Sequence, residues 1–391
     1  MACAASTRYE AYVEQKLAHF AHRISAVNSS KSKRRSCRAV RGWDLNVTLR
    51  AATDGIAVLA SYSGQALAEA HRHKAEGVVQ LIERAAYQHK LMLLAELFRL
   101  PNRRSSFYVS INDFQSDEQG AHLPLLERCT TASATAGVPI PDSTFASNHE
   151  ARSSGGEGHW ASVLSSLLRV AASKNTTRRL PRLTWRGEVR NQPTFLSELP
   201  LEHRRRRGYA LREVLQQRAR LAQAGIAVDV QGTSPLSASH VRWNARETGH
   251  ALQGHLSWPQ QCASRYLLHL DGFSYSASLK YKLACGAVVL RVSGGNLLHR
   301  GAQQFEPPVE WFEAVHPLAN ATVPLLANLS GWVDELLRVN ADEARREALS
   351  TAAANYARRH LSPDAVTCYM ATVLRAYMRL YGKWEAVCGP G

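Results

Sequence analysis

Apolar residues recur along this chain at two spacings, and the alternation between them sets out most of its elements. Tyr9–Val27 has apolar positions at helical spacing and predicts an opening helix. Gly64–Leu100 carries two or three helical stretches, softly interrupted near His73 and Gly77, and ends at Pro101. Ser106–Ile111, reading SFYVSI, is a short β-rich run followed by Asn112-Asp113. Thr130–Gly158 is rich in Ser, Ala, Gly and Pro and reads as loop, apart from an extended Val138-Pro139-Ile140. Trp160–Ala172 is amphipathic at helical spacing. The polar, basic, Pro-containing stretch Lys174–Arg182 then marks a domain hinge. A new strand follows at Leu183–Gly187, a helix heavy in Arg and Gln at Ala210–Ala224, and a short strand at Ala227–Val230. Gly232–Gly254 is polar and irregular. Trp332–Leu337, Glu343–His360 and Pro363–Tyr381 close the chain as helices, with Ser362 before Pro363 as N-cap and first-turn pair.

The most informative stretch is Tyr266–Val292, which reads YLLHLDGFSYSASLKYKLACGAVVLRV. An apolar run, Tyr266–Leu270, meets Asp271-Gly272. A helical segment follows and stops at Gly286, and the β-branched run Ala287–Val292 comes straight after. Strand, glycine turn, helix, strand is the unit that sets a helix N-terminus beside the end of a parallel strand. Ser274, Ser276 and Ser278 crowd the helix entrance, where hydroxyls and unpaired backbone N–H groups can receive a phosphate. Serines there also serve as plain N-caps. Lys280 and Lys282 add positive charge nearby. No GxGxxG fingerprint and no GxxxxGK[ST] loop accompanies the unit. Strands alternating with helices in both halves predict two α/β domains facing one another across a cleft.

Composition bounds the partners. The chain has 391 residues, 45% hydrophobic and 20% charged, enough for two domains with their own cores. A net charge of +16 suits an anionic ligand. Basic residues cluster at Lys31–Arg35, Arg178–Arg182 and Arg204–Arg207, the last reading RRRR. Such runs are usually solvated faces, and no aromatics interleave with them as a single-strand binder requires. Nucleic acid is therefore not the expected partner. No apolar stretch approaches the roughly twenty residues that span a bilayer. The opening MACAASTRYEAYVEQ has no apolar signal core. The seven cysteines include no CxxC pair, which argues against a zinc ribbon or a thioredoxin-like motif. Sequons stand at Asn28, Asn46, Asn175, Asn320 and Asn328.

Motifs in sequence order carry a resemblance. Leu17-Ala18-His19-Phe20 with Ile24-Ser25, Leu100-Pro101 with Tyr108–Phe114, Val138-Pro139-Ile140 and Thr184–Gly187 come first. The core Cys262–Gly286 follows, then Glu310-Trp311-Phe312, Val323-Pro324-Leu325 and Leu361–Tyr377. In this order they resemble glycosyltransferase family 90, the capsule-associated xylosyltransferases and protein O-glucosyltransferases. Its core reads "C-x-x-K-Y-L…D-G…S-x-x-x-K-x-x-L-x-C-G". The resemblance implies an α/β fold of GT-B type, two Rossmann-like domains facing a cleft with the C-terminal helices packing back. It divides the chain into an acceptor-side domain, 1–180, joined by the helix 363–385, and a UDP-sugar-binding domain, 181–362.

The implied reaction is an inverting, metal-independent transfer of glucose or xylose from a UDP-sugar to a hydroxyl of a protein or glycan acceptor. With no metal and no permanently bound cofactor, helix N–H groups and basic side chains neutralise the leaving diphosphate. Gly187, Gly272, Ser274, Ser276 and Ser278 frame that donor site, and Arg186 and Lys280 supply its charge. Asp113 falls on the family's catalytic base, with Asp117 or Glu118 as alternatives on a shifted register. Glu310 matches an acidic position beside the nucleotide ribose. Cys262 and Cys285 correspond to a paired position, and Cys368 to a cysteine whose partner lies near the N-terminus, making Cys3 the candidate.

Departures from the pattern shape the alternatives. Ser278 stands where animal members usually carry Arg, and Ser276, Ser278, Lys280-Tyr281 and Ala284-Cys285 are similar to the plant-like form. The aromatic acceptor-side tract has only His159-Trp160 as a counterpart within Glu150–Ala161. A degenerate member that binds nucleotide without turnover is the second reading, and a basic nucleic-acid-binding protein using Arg204–Arg207 the third. Family members act in the endoplasmic reticulum or Golgi lumen. With no leader visible, that location implies an N-terminus that is truncated or starts internally.

Overall fold

The computed structural model describes residues 6–29, 45–62, 69–110, 123–128, 137–146, 160–187, 206–232, 256–271, 276–292, 309–325 and 329–388. The chain packs as two compact units. One comprises Met1–Asn148, Pro308–Pro317 and Pro363–Gly391; the other comprises His149–Pro307 and Leu318–Ser362.

The first unit holds a mixed sheet in the order β2-β1-β3-β4-β5. Strands β1 (Leu45–Ala52) and β2 (Gly55–Tyr62) form a tight antiparallel hairpin, and β1 also pairs antiparallel with β3 (Arg104–Val109). Strands β4 (Leu125–Glu127) and β5 (Gly137–Pro139) add on in parallel. Leu45, Val47 and Leu49 alternate inward along β1, the period expected of a strand with one buried face. Helices α1 (Ser6–Ser29), α2 (Glu69–Gln88), α3 (Lys90–Leu97) and the short α9 (Trp311–Val315) belong here, as does the long α12 (Pro363–Cys388). Polar anchors fix α12. The Tyr369 hydroxyl donates to Pro139 O at 2.7 Å, Tyr377 to Pro124 O at 3.1 Å, and Arg379 pairs with the buried Glu96 at 2.8 Å.

The second unit is a doubly wound sheet, wholly parallel. Its strands are β6 (Leu180–Gly187), β7 (Ala227–Gly232), β8 (Ser264–His269), β9 (Val288–Val292) and β10 (Val323–Leu325), in the order β10-β9-β8-β6-β7. The chain leaves β6 toward β7 on one side, then crosses to β8 on the other. A gap therefore opens between the loops that follow β6 and β8, the place where open α/β sheets bind ligands. Alternation along the strands sorts side chains onto two faces. Tyr266, Leu268, Val288 and Leu290 join a core with α5 (Arg206–Gln216), α6 (Arg218–Gln223) and α10 (Trp332–Ala341). Leu267, His269, Val289 and Arg291 take the opposite face, where α8 (Leu279–Ala284) and α11 (Glu343–His360) pack.

Helices α4 (Trp160–Ser173) and α7 (Trp258–Cys262) also belong to the second unit. The boundary thus falls at 148/149, ahead of the hinge expected at Lys174–Arg182. The reason is packing: the Trp160 indole donates to Leu361 O at 2.5 Å and meets Tyr281 edge-on at 5.3 Å, both within the second unit. Among the described residues, no helix is long and apolar enough to cross a membrane.

Candidate functional site

The α8 helix is short, and its two sides are used differently. One side is anchored. Cys262, at the end of α7, forms a disulfide with Cys285, just past α8, with Cα atoms 5.0 Å apart. This is the pairing that the family pattern implies. Arg179, buried beneath it, donates to Cys285 O at 2.8 Å and to Cys262 O. Desolvation pulls the pKa of Arg179 down to about 10, partly offset by Glu347. Gly286 ends the helix at φ +56°, where a Cβ would come within 2.8 Å of Ala171 Cβ, so only glycine fits without displacement. Trp258 stacks on Tyr281 at 4.5 Å, and the ammonium of Lys280 lies 5.3 Å from the Tyr281 ring centre and 5.7 Å from that of Trp160. Lys280 is thus fully buried among aromatic faces, which attract a cation through the ring quadrupole.

The other side carries Lys282. Residues two apart on a helix point to different sides, so Lys282 faces the sheet end that Lys280 does not. Five ionisable groups gather there from four elements: Lys282 on α8, His269 on β8, Asp271 just beyond β8, Arg291 on β9 and Arg207 on α5. His269 and Arg291 are directly paired across β8 and β9. The His269 Nε2 and Asp271 Oδ1 lie 3.3 Å apart, both buried. Burial holds the imidazole neutral by pushing its pKa down to about 3, so Nε2 carries the proton and the carboxylate accepts it. Lys282 is 1% exposed, and its Nζ has no hydrogen-bond partner among the described residues. Desolvation, then Arg207, pull its pKa down to about 7, against the pull of Asp271.

Arg207 connects this cluster to β6. Its Nε donates to Asp271 O at 2.9 Å, and its Nη2 reaches Leu270 O and Ser276 Oγ, each at 3.4 Å. Its guanidinium stands 5.9 Å from the ring of Trp185 on β6. That indole in turn fills the space beside Gly187, where a Cβ would sit 2.7 Å from Trp185 Cζ2. The Ser276 and Ser278 hydroxyls are 2.9 Å apart, and Ser278 makes no capping bond to α8. Trp185, Gly187, Arg207, Asp271, Ser276 and Lys282 therefore converge where the chain switches direction between β6 and β8.

Within the second unit, not every expected residue joins them. Arg186 is held on β6 by Asp229 of β7, with Nη2 to Oδ1 at 2.5 Å, and Asp229 also pairs with Arg182 at 3.3 Å. Glu310 opens α9 in the first unit, buried, with its backbone N–H donating to Glu313 Oε2 at 3.1 Å. Gly272, Ser274, Asp113, Asp117, Glu118 and Cys3 lie outside the described residues. Cys368 is disulfide-bonded. Among the described residues no cluster of His, Cys, Asp or Glu is placed to hold a metal ion. Sequence reasoning assigned Arg207 to a solvated basic run. The signal that could have found it is the apolar spacing of Ala210, Leu211 and Val214, which lie three, four and seven residues after Arg207 and so on its side of the helix.

The sequence pattern of Glycosyl transferase family 90 matches residues 77–384. The chain belongs to that family. The match runs from α2 into α12 and so covers most of both units. No curated protein matches the chain. Family 90 enzymes transfer sugars, and the switch-point cluster of this glycosyltransferase is its most chemically distinct feature among the described residues.

Proposed function

We propose that this protein is an inverting, metal-independent glycosyltransferase of GT-B type, moving glucose or xylose from a UDP-sugar to a hydroxyl of a protein or glycan acceptor. The observation that carries the donor assignment is the cationic cluster at the β6/β8 switch point, in a chain whose family transfers sugars. A diphosphate placed there meets Arg207 and Lys282 at short range, with the Ser276 and Ser278 hydroxyls beside it. By sequence, Gly272 and Ser274 belong to the same proposed donor set. Charge-assisted hydrogen bonds to phosphate are about twice as strong as neutral ones, and a water-poor site strengthens them further. Gly187 keeps Trp185 under Arg207, and Arg186, clasped by Asp229, fixes the end of β6 that the donor abuts. Lys280 holds α8 from behind through the aromatic faces.

Asp113 is the base that takes the acceptor hydroxyl's proton as its oxygen attacks the anomeric carbon opposite the diphosphate, and Glu310 accepts hydrogen bonds from the ribose. The plant-like form of the Ser276–Cys285 stretch supports that branch of the family. The Cys262–Cys285 disulfide suits an oxidising lumen such as the endoplasmic reticulum or Golgi.

The test is UDP release from UDP-glucose and UDP-xylose with candidate acceptors, comparing wild type with Asp113→Asn. A base lost from such a step lowers turnover by on the order of a hundred- to ten-thousand-fold. Equal release from both proteins removes Asp113 from the role.

One observation favours a second reading, a member that binds the nucleotide without turnover. Trp160, one of two aromatic residues offered on the acceptor side, is 1% exposed and committed to the core of the second unit. UDP binding without transfer to any acceptor, indifferent to Asp113→Asn, selects that reading.

A further inference from the structure

Lys282 is the one member of the switch-point cluster whose charged end is buried with no hydrogen-bond partner among the described residues. Arg207 from α5 and Asp271 beyond β8 act on its charge directly, His269 of β8 lies beside it, and Arg291 of β9 is coupled to that histidine. His269 is neutral, so among the described residues of the cluster one carboxylate stands with three cationic side chains once Lys282 is charged. A buried site with surplus positive charge disfavours its most easily deprotonated member, and lysine, unlike arginine, can give up its proton. An anion brought to this end of β8 reverses that balance. We propose that binding of the donor diphosphate drives protonation of Lys282, making it the proton-linked counter-charge of the donor.

The proton comes from solvent and adds to the Nζ lone pair; no other bond changes, and the proton returns to solvent when UDP leaves. Direct contact is not required, because the field of a diphosphate acts across several ångströms of water-poor interior. Lys282 is therefore a positioning and charge-balancing residue. The lowered pKa of about 7 in the free protein is consistent with this role. By linkage, affinity for the donor falls as pH rises above about 7, approaching tenfold per pH unit while the free protein has lost the proton and the complex keeps it.

This inference rests on the donor-site reading above, and the experiment separates the two. UDP-glucose has no group of its own titrating near neutrality, so its binding heat is measured at pH 8 in HEPES and in Tris, which differ in ionisation enthalpy. Wild type should take up most of one proton per UDP-glucose bound. Lys282→Arg, permanently charged, should bind with almost no uptake, and Lys282→Met should bind at least about tenfold more weakly with none. Thermal melts of both variants check folding, and Lys282→Met, close in volume, serves if the arginine does not fit. Uptake unchanged in either folded variant overturns the proposal.

Inorganic pyrophosphate is the second probe, for the case in which wild type does not bind UDP-glucose. If its affinity relative to Lys282→Arg, or to Lys282→Met where the arginine does not fold, falls with rising pH, the proton-linked anion site stands and the nucleotide-sugar reading falls. Binding of neither ligand overturns both.

Discussion

The two sides of α8 bury two lysines by different means, and the contrast separates what holds the site from what the site does. Lys280 lies over two aromatic rings in a region fastened by a disulfide, a glycine at positive φ and a buried arginine. Its charge is compensated in the resting protein. Lys282, two residues on, is buried near both Arg207 and Asp271, and its Nζ has no hydrogen-bond partner among the described residues. Burial of a charged group without a partner is costly, so a fold retains it where something outside the chain completes it. On the proposal above, one lysine contributes to stability and the other to binding.

The largest effect on binding expected from breaking this contrast is at Lys282. Lys282→Met should weaken UDP-glucose binding at least about tenfold, about 1.4 kcal/mol or more, through loss of a desolvated counter-charge. Removing an uncompensated buried charge should at the same time raise the melting temperature. The pH dependence carries a definite sign. Folding lowers the Lys282 pKa from 10.5 to about 7, so between those values the unfolded chain binds more protons. Stability due to this group therefore rises with pH through that window and is smallest below it. Urea melts of wild type at pH 7 and pH 9 should show the rise, and Lys282→Met should flatten it.

The opposite side answers to different tests. Replacing Cys262 and Cys285 by Ser together releases a cross-link with a sequence separation of 23, worth about 3 kcal/mol in the loop-entropy picture. Chemical denaturation with and without reductant measures it. Gly286→Ala should cost roughly 1–3 kcal/mol, since the positive φ and the approach of Ala171 both resist a Cβ. Smallest of these, Lys280→Met should cost about 1 kcal/mol of stability by losing the cation–π contacts, with UDP-glucose affinity within about twofold of wild type. A Lys280 variant that loses binding while keeping its melting temperature would exchange the two lysines' roles.

The alternating unit at Tyr266–Val292 was legible because its apolar runs are long, β-branched and punctuated by Asp271-Gly272 and Gly286. The helices at both ends of the chain were legible for the same reason. The hairpin of β1 and β2 was not: its outer strand turns exposed from Leu59 onward, so apolar residues there do not alternate with the buried face. The parallel order of the second sheet, and with it the β6/β8 switch point, depends on pairings between strands far apart in sequence, which periodicity does not encode. The family pattern drew attention to Lys280 because it occupies the lysine position of that motif, whereas the direction of each lysine depends on what packs against each side of α8. Arg207 was hidden in a run of four arginines, and its inward direction is set by what packs against α5.

The most direct test of the central claim is the position of UDP in a crystal structure of the complex. The account places the diphosphate at the carboxyl ends of β6 and β8, with a phosphate oxygen within about 3 Å of the Arg207 guanidinium and the nearest described ammonium that of Lys282. A diphosphate bound elsewhere on the second unit, or held by Lys280 with the Arg207–Asp271 cluster unchanged and remote, would contradict it.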